Sequence, residues 1–221
     1  MDRDQIIEIE RIGVEEERRV VETIAATEPS WRSMTFAVAD GWALLSGAGL
    51  FVNQCMAAGL TKPLTSNDLE HVAQHAAEVG VPEAFELCEA TRPDVVAFFE
   101  AEGWHRDRQR LVLTHPLEAL PAPTPGVNIT LVTESELATW QSVSAAGWGH
   151  AEPHAIAANN TWAAAAFTAD EPGLIEWRLR AAVDRGCRIA VSMAQPGSNS
   201  ERNLRRAGFV PAYTKTTWVK R

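Results

Sequence analysis

Residues 76–104 and 181–209 run through the same order of features: helix, glycine, strand, a turn around proline, helix, glycine, aromatic, strand. Gly80 and Gly103 stand 23 positions apart in the first stretch, and Gly186 and Gly208 stand 22 apart in the second. A glycine closing a helix supplies left-handed backbone that other residues adopt only at a cost. The aromatic that follows each second glycine, Trp104 or Phe209, is placed to drop into a core at the helix-to-strand corner. Such spacing predicts a tandem α/β repeat with mixed sheets.

Composition bounds what the repeat can be. The chain has 221 residues, 46% apolar and 22% charged, enough for one large or two small globular domains. No apolar run approaches the roughly 18 residues of a membrane span, and the start Met1-Asp2-Arg3-Asp4 is too charged for a secretory signal. A cytoplasmic protein without membrane contact is expected. Cys55, Cys88 and Cys187 lack Cys-x-x-Cys spacing and lie in apolar stretches, which favours small buried hydrophobes over disulfides or zinc ligands. The net charge of −9 hides an asymmetry: residues 1–118 hold 10 basic and 21 acidic side chains, and residues 173–221 hold 10 and three. An acidic body with one basic end disfavours a nucleic-acid track and suits a small phosphorylated ligand.

The local pattern divides the chain. Residues 3–26 read as one or two amphipathic helices, 36–45 as a hairpin closed by Asp40-Gly41, and 50–56 as a strand. A helix over 65–79, a strand over 84–88, a helix over 94–102 and a strand over 111–114 follow. Three prolines in 120–126 mark a linker. The expected units are therefore 1–118, a linker at 119–127, and 128–221. The second opens with a strand over 128–132 and a helix capped by Thr133 and Glu136. It continues with a strand over 162–167, a helix over 174–184, a strand over 188–192, a helix over 200–207 and a strand over 213–219. With 94 residues, this unit is too short to hold a complete central hairpin. Its exposed edge is covered by the first unit, by a partner chain such as a second copy, or by the two halves sharing one sheet.

The segment Pro196-Gly-Ser-Asn-Ser-Glu-Arg-Asn-Leu-Arg-Arg-Ala-Gly-Phe209, preceded by Arg180-Ala-Ala-Val-Asp-Arg-Gly-Cys-Arg188, resembles the closing motif of the GNAT acyl-CoA N-acyltransferase superfamily. The order of units resembles its bacterial subgroup with tandem GNAT-like domains, here with a degenerate first unit and a shortened second. The resemblance implies acetyl-CoA or another acyl-CoA as co-substrate, lying where two parallel strands splay, and a small amine as acceptor. By position it implies that Asn203 and Arg206 lie beside the pantetheine or adenine end, and that Ser198 and Ser200 flank an anion-binding helix start. The bland reading makes Ser200 an N-cap and turns the arginines to water.

The sequence departs from the family upstream. Members carry an Arg-Gly-x-Gly-type loop between the central strand and the next helix, whose amides close around the pyrophosphate. The matching segment here is Trp162-Ala-Ala-Ala-Ala-Phe-Thr-Ala-Asp-Glu-Pro-Gly-Leu174, where Asp170 and Glu171 would repel a diphosphate. Thr168 and Gly173 alone fit the expected setting. Leu204 takes the place of the family's acidic tyrosine, so Tyr213, the chain's one tyrosine, is the candidate to protonate the leaving thiolate; a core tyrosine is the alternative. No base is evident, although His150 and Glu152 lie near the expected acceptor side. The pairs His71/His75 and His150/His154 have i, i+4 spacing but lack further ligands, and Pro153 interrupts the second. Trp140, Trp148, Trp162 and Trp177 fall in or near the shortened region and suit a core, a pocket or a subunit contact. Two functions fit: an N-acyltransferase, or a GNAT-like pseudoenzyme serving binding or assembly.

Overall fold

The computed structural model describes residues 1–47, 49–120, 132–147, 150–168 and 175–220. The expected strand over 128–132 lies almost wholly outside them, as do Asp170, Glu171 and Gly173. The chain opens with one continuous helix, α1 (Arg3–Thr27), started by a capping box between Asp2 and Gln5. Its buried stripe of Ile6, Ile7, Val14, Val20, Val21 and Ile24 also contains a carboxylate, Glu10. The hairpin β1 (Met34–Val38) and β2 (Gly41–Leu45) follows. Val38 faces Gly41 across the ladder, so the turn residues are Ala39 and Asp40, one position earlier than the Asp-Gly spacing predicts. The shift has a physical cause in the packing of Gly41, whose α-carbon lies against the backbone of Met56 and Ala58.

The strand expected over 50–56 is regular only at β3 (Gln54–Met56). Then come α2 (Ser66–Val79), β4 (Ala84–Cys88), α3 (Pro93–Ala101) and β5 (Trp104–His115). Beyond the proline-rich stretch lie α4 (Leu137–Gly147), α5 (Pro153–Thr168), α6 (Ile175–Asp184), β6 (Ala190–Ala194), α7 (Asn199–Arg206) and β7 (Val210–Lys220). The stretch 162–167, expected as a strand, is the end of helix α5. A short apolar run carries no period of its own, and its consecutive alanines favour helix. Cys187, expected to be buried, is exposed in the turn after α6, whereas Cys55 is buried and Cys88 partly so.

The seven strands among the described residues form one sheet in the order β1-β2-β3-β4-β7-β5-β6. The halves therefore share a sheet, with the last strand of the chain inserted between two strands of the first half. The register runs from Trp104 opposite Lys220 to Thr114 opposite Val210 on one side, and from Ala84 opposite Val219 to Cys88 opposite Lys215 on the other. One face packs Leu44, Met56 and Tyr213 against α1, with Ala158 and Ala165 of α5 in the same cluster. The other face packs Cys55, Phe85, Leu87 and Trp218 beneath α2 and α3, and includes the Trp104 corner. A third cluster joins Leu113, Ala194, Leu204 and Phe209 with Leu179 of α6.

The glycine corners have the backbone that the repeat predicts. Gly80, Gly103, Gly186 and Gly208 have φ of 83°, 78°, 77° and 95°. Gly13, inside α1, has an ordinary helical backbone, and an added methyl there meets nothing. Two alanine substitutions should therefore have opposite signs in urea unfolding. Gly80→Ala should destabilise by about 1 kcal/mol through left-handed strain, and Gly13→Ala should stabilise by about 0.5–1 kcal/mol. Equal signs would contradict the assignment of these two positions.

Candidate functional site

Among the described residues the sheet has one parallel pair, β3 with β4, and the two strands meet at a single register position, Cys55 opposite Phe85. No second register position joins them among the described residues. The resemblance placed the splayed pair in residues 128–221; there β6 pairs with β5 alone, and antiparallel. The fork lies in the first half, and the loop between its central strand and the next helix is residues 57–65.

That loop is held by the chain itself. Gly59 has φ of 77°, and the Val95 methyl groups lie 3.1 Å from where a β-carbon would be, so no larger residue fits there without a shift. The Arg92 amide donates to the Gly59 carbonyl at 3.1 Å, joining the segment after β3 to the segment after β4 across the fork's mouth. The Arg92 side chain reaches the Thr61 carbonyl at 3.5 Å and pairs with Asp94 at 2.8 Å. The Arg3 guanidinium donates to the Leu60 carbonyl. Asp40, from the β1–β2 turn, bonds the loop from the other side of the hairpin's end. Its Oδ1 accepts from the Gly59 amide at 2.8 Å; its Oδ2 accepts from the Thr61 amide at 2.5 Å, the Thr61 hydroxyl at 2.7 Å and the Lys62 amide at 3.3 Å. Burial opposes the charge on Asp40, and the bonds from Thr61, Gly59 and Lys62 outweigh it, so its pKa lies below the ordinary carboxylate value. The start of α2 is closed in the same manner, by a capping box in which Asp68 accepts from the Thr65 amide at 2.9 Å.

The α1-side floor beside the fork is polar and buried. Gln54, on β3, is 1% exposed, and neither its Nε2 nor its Oε1 has a partner among the described residues. Two strands away, Lys215 Nζ lies 2.5 Å from Glu86 Oε1 and 3.0 Å from Glu10 Oε2. Arg110 Nε donates to Glu86 Oε2 at 2.8 Å, and the Tyr213 hydroxyl donates to Glu10 Oε1 at 2.5 Å. Burial alone would raise the pKa of Glu86, but Lys215 and Arg110 hold it below its usual value. Burial likewise acts to strip the proton from Lys215, and Glu86 and Glu10 hold it on. Burial pushes the nearby Cys88 thiol up to about 11, so it is neither a thiolate nor a strong nucleophile near neutral pH. The two carboxylates are committed to ion pairs.

The residues singled out from sequence lie on α5, α7 and β7. Ser198 caps α7 by accepting from the Glu201 amide at 3.2 Å. Ser200, Asn203 and Arg206 are exposed on α7, where Arg206 donates to Asn203 at 3.2 Å. The Gly197 amide, which faces the start of α7, donates to Glu201 at 2.6 Å. Thr168 is the last residue of α5 rather than part of a strand-to-helix loop. Tyr213 is 3% exposed and its proton is directed to Glu10; burial first, and then the charge of Glu10, raise its pKa above the usual phenol value. Leu204 is a core residue. His71 and His75 stack edge to face with ring centroids 4.6 Å apart, and His75 bonds Glu78 at 2.9 Å. No group of three or more His, Cys, Asp or Glu is placed to hold a metal among the described residues. His150 precedes α5 and His154 lies within it. Trp162 stacks edge to face on Phe51 at 4.7 Å. The parts that sequence reasoning missed are the bonds of Asp40 and the Glu10–Lys215–Glu86–Arg110 network that Tyr213 joins. Asp-Gly was visible as a turn, but its partners lie 19 to 22 residues downstream.

No protein-family model matches the chain, and no curated protein sequence matches it. Solved structures do. A GCN5-related N-acetyltransferase from Kribbella flavida aligns over 91% of this chain and 95% of its own, with a TM-score of 0.52 and 14% identity. A tandem GNAT protein from the clavulanic acid biosynthesis pathway aligns over 82% and 78%, with a TM-score of 0.53 and 12% identity. A GCN5-related N-acetyltransferase from Sphaerobacter thermophilus aligns over 68% and 64%, with a TM-score of 0.50 and 14% identity. Their shared architecture, together with the parallel pair in a mixed sheet of seven strands among the described residues, gives this chain the fold of the GNAT acyl-CoA N-acyltransferase superfamily.

Proposed function

We propose that this chain is a non-catalytic GNAT-fold module, a binding or assembly protein whose acyl-CoA fork is closed by its own residues. One observation carries the reading: the Asp40 carboxylate takes the loop amides at the fork's mouth, in the place where the family's loop offers amides to a pyrophosphate. A diphosphate would have to displace an internal anion and break the Arg92–Gly59 tie. A second copy of the chain is the first partner this reading offers, because β6 ends the sheet with only β5 beside it among the described residues. Light scattering that gives the mass of one chain at every concentration contradicts that partner. No described helix is long and apolar enough to cross a membrane.

The second reading is an N-acyltransferase moving an acetyl or other acyl group from acyl-CoA to a small amine. The retained fork and the unpaired Gln54 amide beside it favour this reading. In it, Thr168, Ser198, Ser200, Asn203 and Arg206 would hold the cofactor and Tyr213 would protonate the thiolate. Thermal unfolding with acetyl-CoA separates the two. A ligand at 100 times its dissociation constant stabilises the folded state by about 2.7 kcal/mol. The non-catalytic reading expects no shift at millimolar acetyl-CoA. A saturable rise in Tm, abolished by Arg206→Ala, supports the acyltransferase.

A further inference from the structure

The outward side of α1 is built as deliberately as its buried stripe. Glu8, Arg11, Ile12 and Arg19 are exposed there, and Glu15 is partly so. At 3.6 residues per turn these five fall on one strip about 100° wide. A groove of about 730 Å³ runs along the strip, lined by four carboxylates and three arginines. That mixture suits neither a lone anion nor a lone cation; it suits a surface of equally mixed charge. Ile12, 55% exposed, gives the strip an apolar centre.

The charges are self-complementary when two such helices run antiparallel. With a two-fold axis crossing between Gly13 and Val14, Glu8 lies across from the partner's Arg19, and Arg19 from the partner's Glu8. On one flank Ile12 and the partner's Ile12 are offset by about 4.5 Å along the axes, close enough to touch. On the other flank Arg11 comes beside the partner's Glu15. The two Glu15 side chains also approach each other, and this is offset by Arg18, which holds Glu15 at 2.7 Å within its own helix. A parallel arrangement in register sets Glu8 against the partner's Glu8 and Arg19 against the partner's Arg19, so repulsion selects the antiparallel one. A two-fold contact repeats every pair, so each match counts twice.

We propose that the exposed strip of α1 is a homodimer surface, pairing antiparallel with the same strip of a second copy through Ile12 at the axis and Glu8–Arg19 on both sides. The inference goes beyond the non-catalytic reading, because it holds whether or not the fork admits acyl-CoA, and it uses a different element from the β6 edge. One helix pair buries less than a standard interface, so the association is weak and reversible. Its exposed ion pairs make it sensitive to salt.

Sedimentation equilibrium of the full chain at low ionic strength tests this. Wild type should form a dimer with a dissociation constant between about 1 µM and 1 mM. Arg19→Glu, which turns two attractions into two repulsions, should weaken it about tenfold or more. Glu8→Arg should do the same and serves in its place if Arg19→Glu does not fold. The double variant Glu8→Arg/Arg19→Glu should restore the dimer to within about threefold of wild type, because both pairs are reversed together. Ile12→Asp, which sets two carboxylates beside the axis, should leave single chains. Circular dichroism checks that each variant is folded. A wild type that stays single at about 1 mM chain overturns the proposal. So does a dimer indifferent to Arg19→Glu and Ile12→Asp, whose contact then lies elsewhere, and so does a folded double variant no better than either single one. Acetyl-CoA binding is a separate result that bears on the non-catalytic reading and not on this surface.

Discussion

Lys215→Met should cost about 3–5 kcal/mol in urea unfolding, because it leaves Glu10 and part of Glu86 buried without their cation. That is about a fifth or more of the total stability of an ordinary domain. Lys215 is on the last strand, Glu10 on the first helix and Glu86 on β4, so the network fixes the register of β7 between β4 and β5. A second substitution shows whether the cost is electrostatic. Glu10→Gln keeps an acceptor for Tyr213 while removing a charge, so the double variant Lys215→Met/Glu10→Gln should be more stable than additivity allows, by about 1 kcal/mol or more. Acid should weaken the wild type through the same group. Glu86 has a lowered pKa in the folded state, so its contribution is complete above the unfolded value of about 4.3 and is lost as pH falls through the folded value. In Lys215→Met this acid-induced loss should shrink. A cost below about 1 kcal/mol for Lys215→Met would show that the network does not hold β7 in place.

Gly41→Ala should be the most damaging single methyl in the hairpin. Its β-carbon would stand 2.3 Å from the Ala58 amide nitrogen, 2.3 Å from the Met56 carbonyl oxygen and 2.4 Å from the Ala57 carbonyl carbon. All three are backbone atoms and cannot rotate aside. The hairpin must separate from β3, which both strains the core and draws Asp40 away from its donors. A loss of about 3 kcal/mol is expected, at the upper end of overpacking. The amide of Thr61 should lose hydrogen-exchange protection at the same time. A variant as stable as wild type would mean that the hairpin does not press on the fork's loop.

Local chemistry made much of this fold readable. Thr133 with Glu136 forms the capping box that its spacing announces, and the four glycine corners have left-handed backbone. Those features are encoded within a few residues. What was not readable depends on distant partners. The strand β5 begins at Trp104 and runs through His105, Arg106, Asp107 and Arg108, which have no strand-like apolar alternation; the ladder to β7 makes them a strand. Residues 162–167 gave an apolar run that fits a strand or a helix equally, and packing of α5 in the α1 cluster settles it as helix. The fork was sought in the second half, where the closing motif lies, whereas the parallel pair belongs to the first. Motif strength and site location are separate matters in a chain whose halves share one sheet.

The state of the fork's loop is the centre of this account, and the amide resonances of Gly59, Thr61 and Lys62 read it directly. In a titration of the isotope-labelled wild-type chain with acetyl-CoA to millimolar concentration, these three signals should stay where they are, held by Asp40. Saturable movement of all three, with Asp40 released from them, would show that the fork admits the cofactor and would contradict the account.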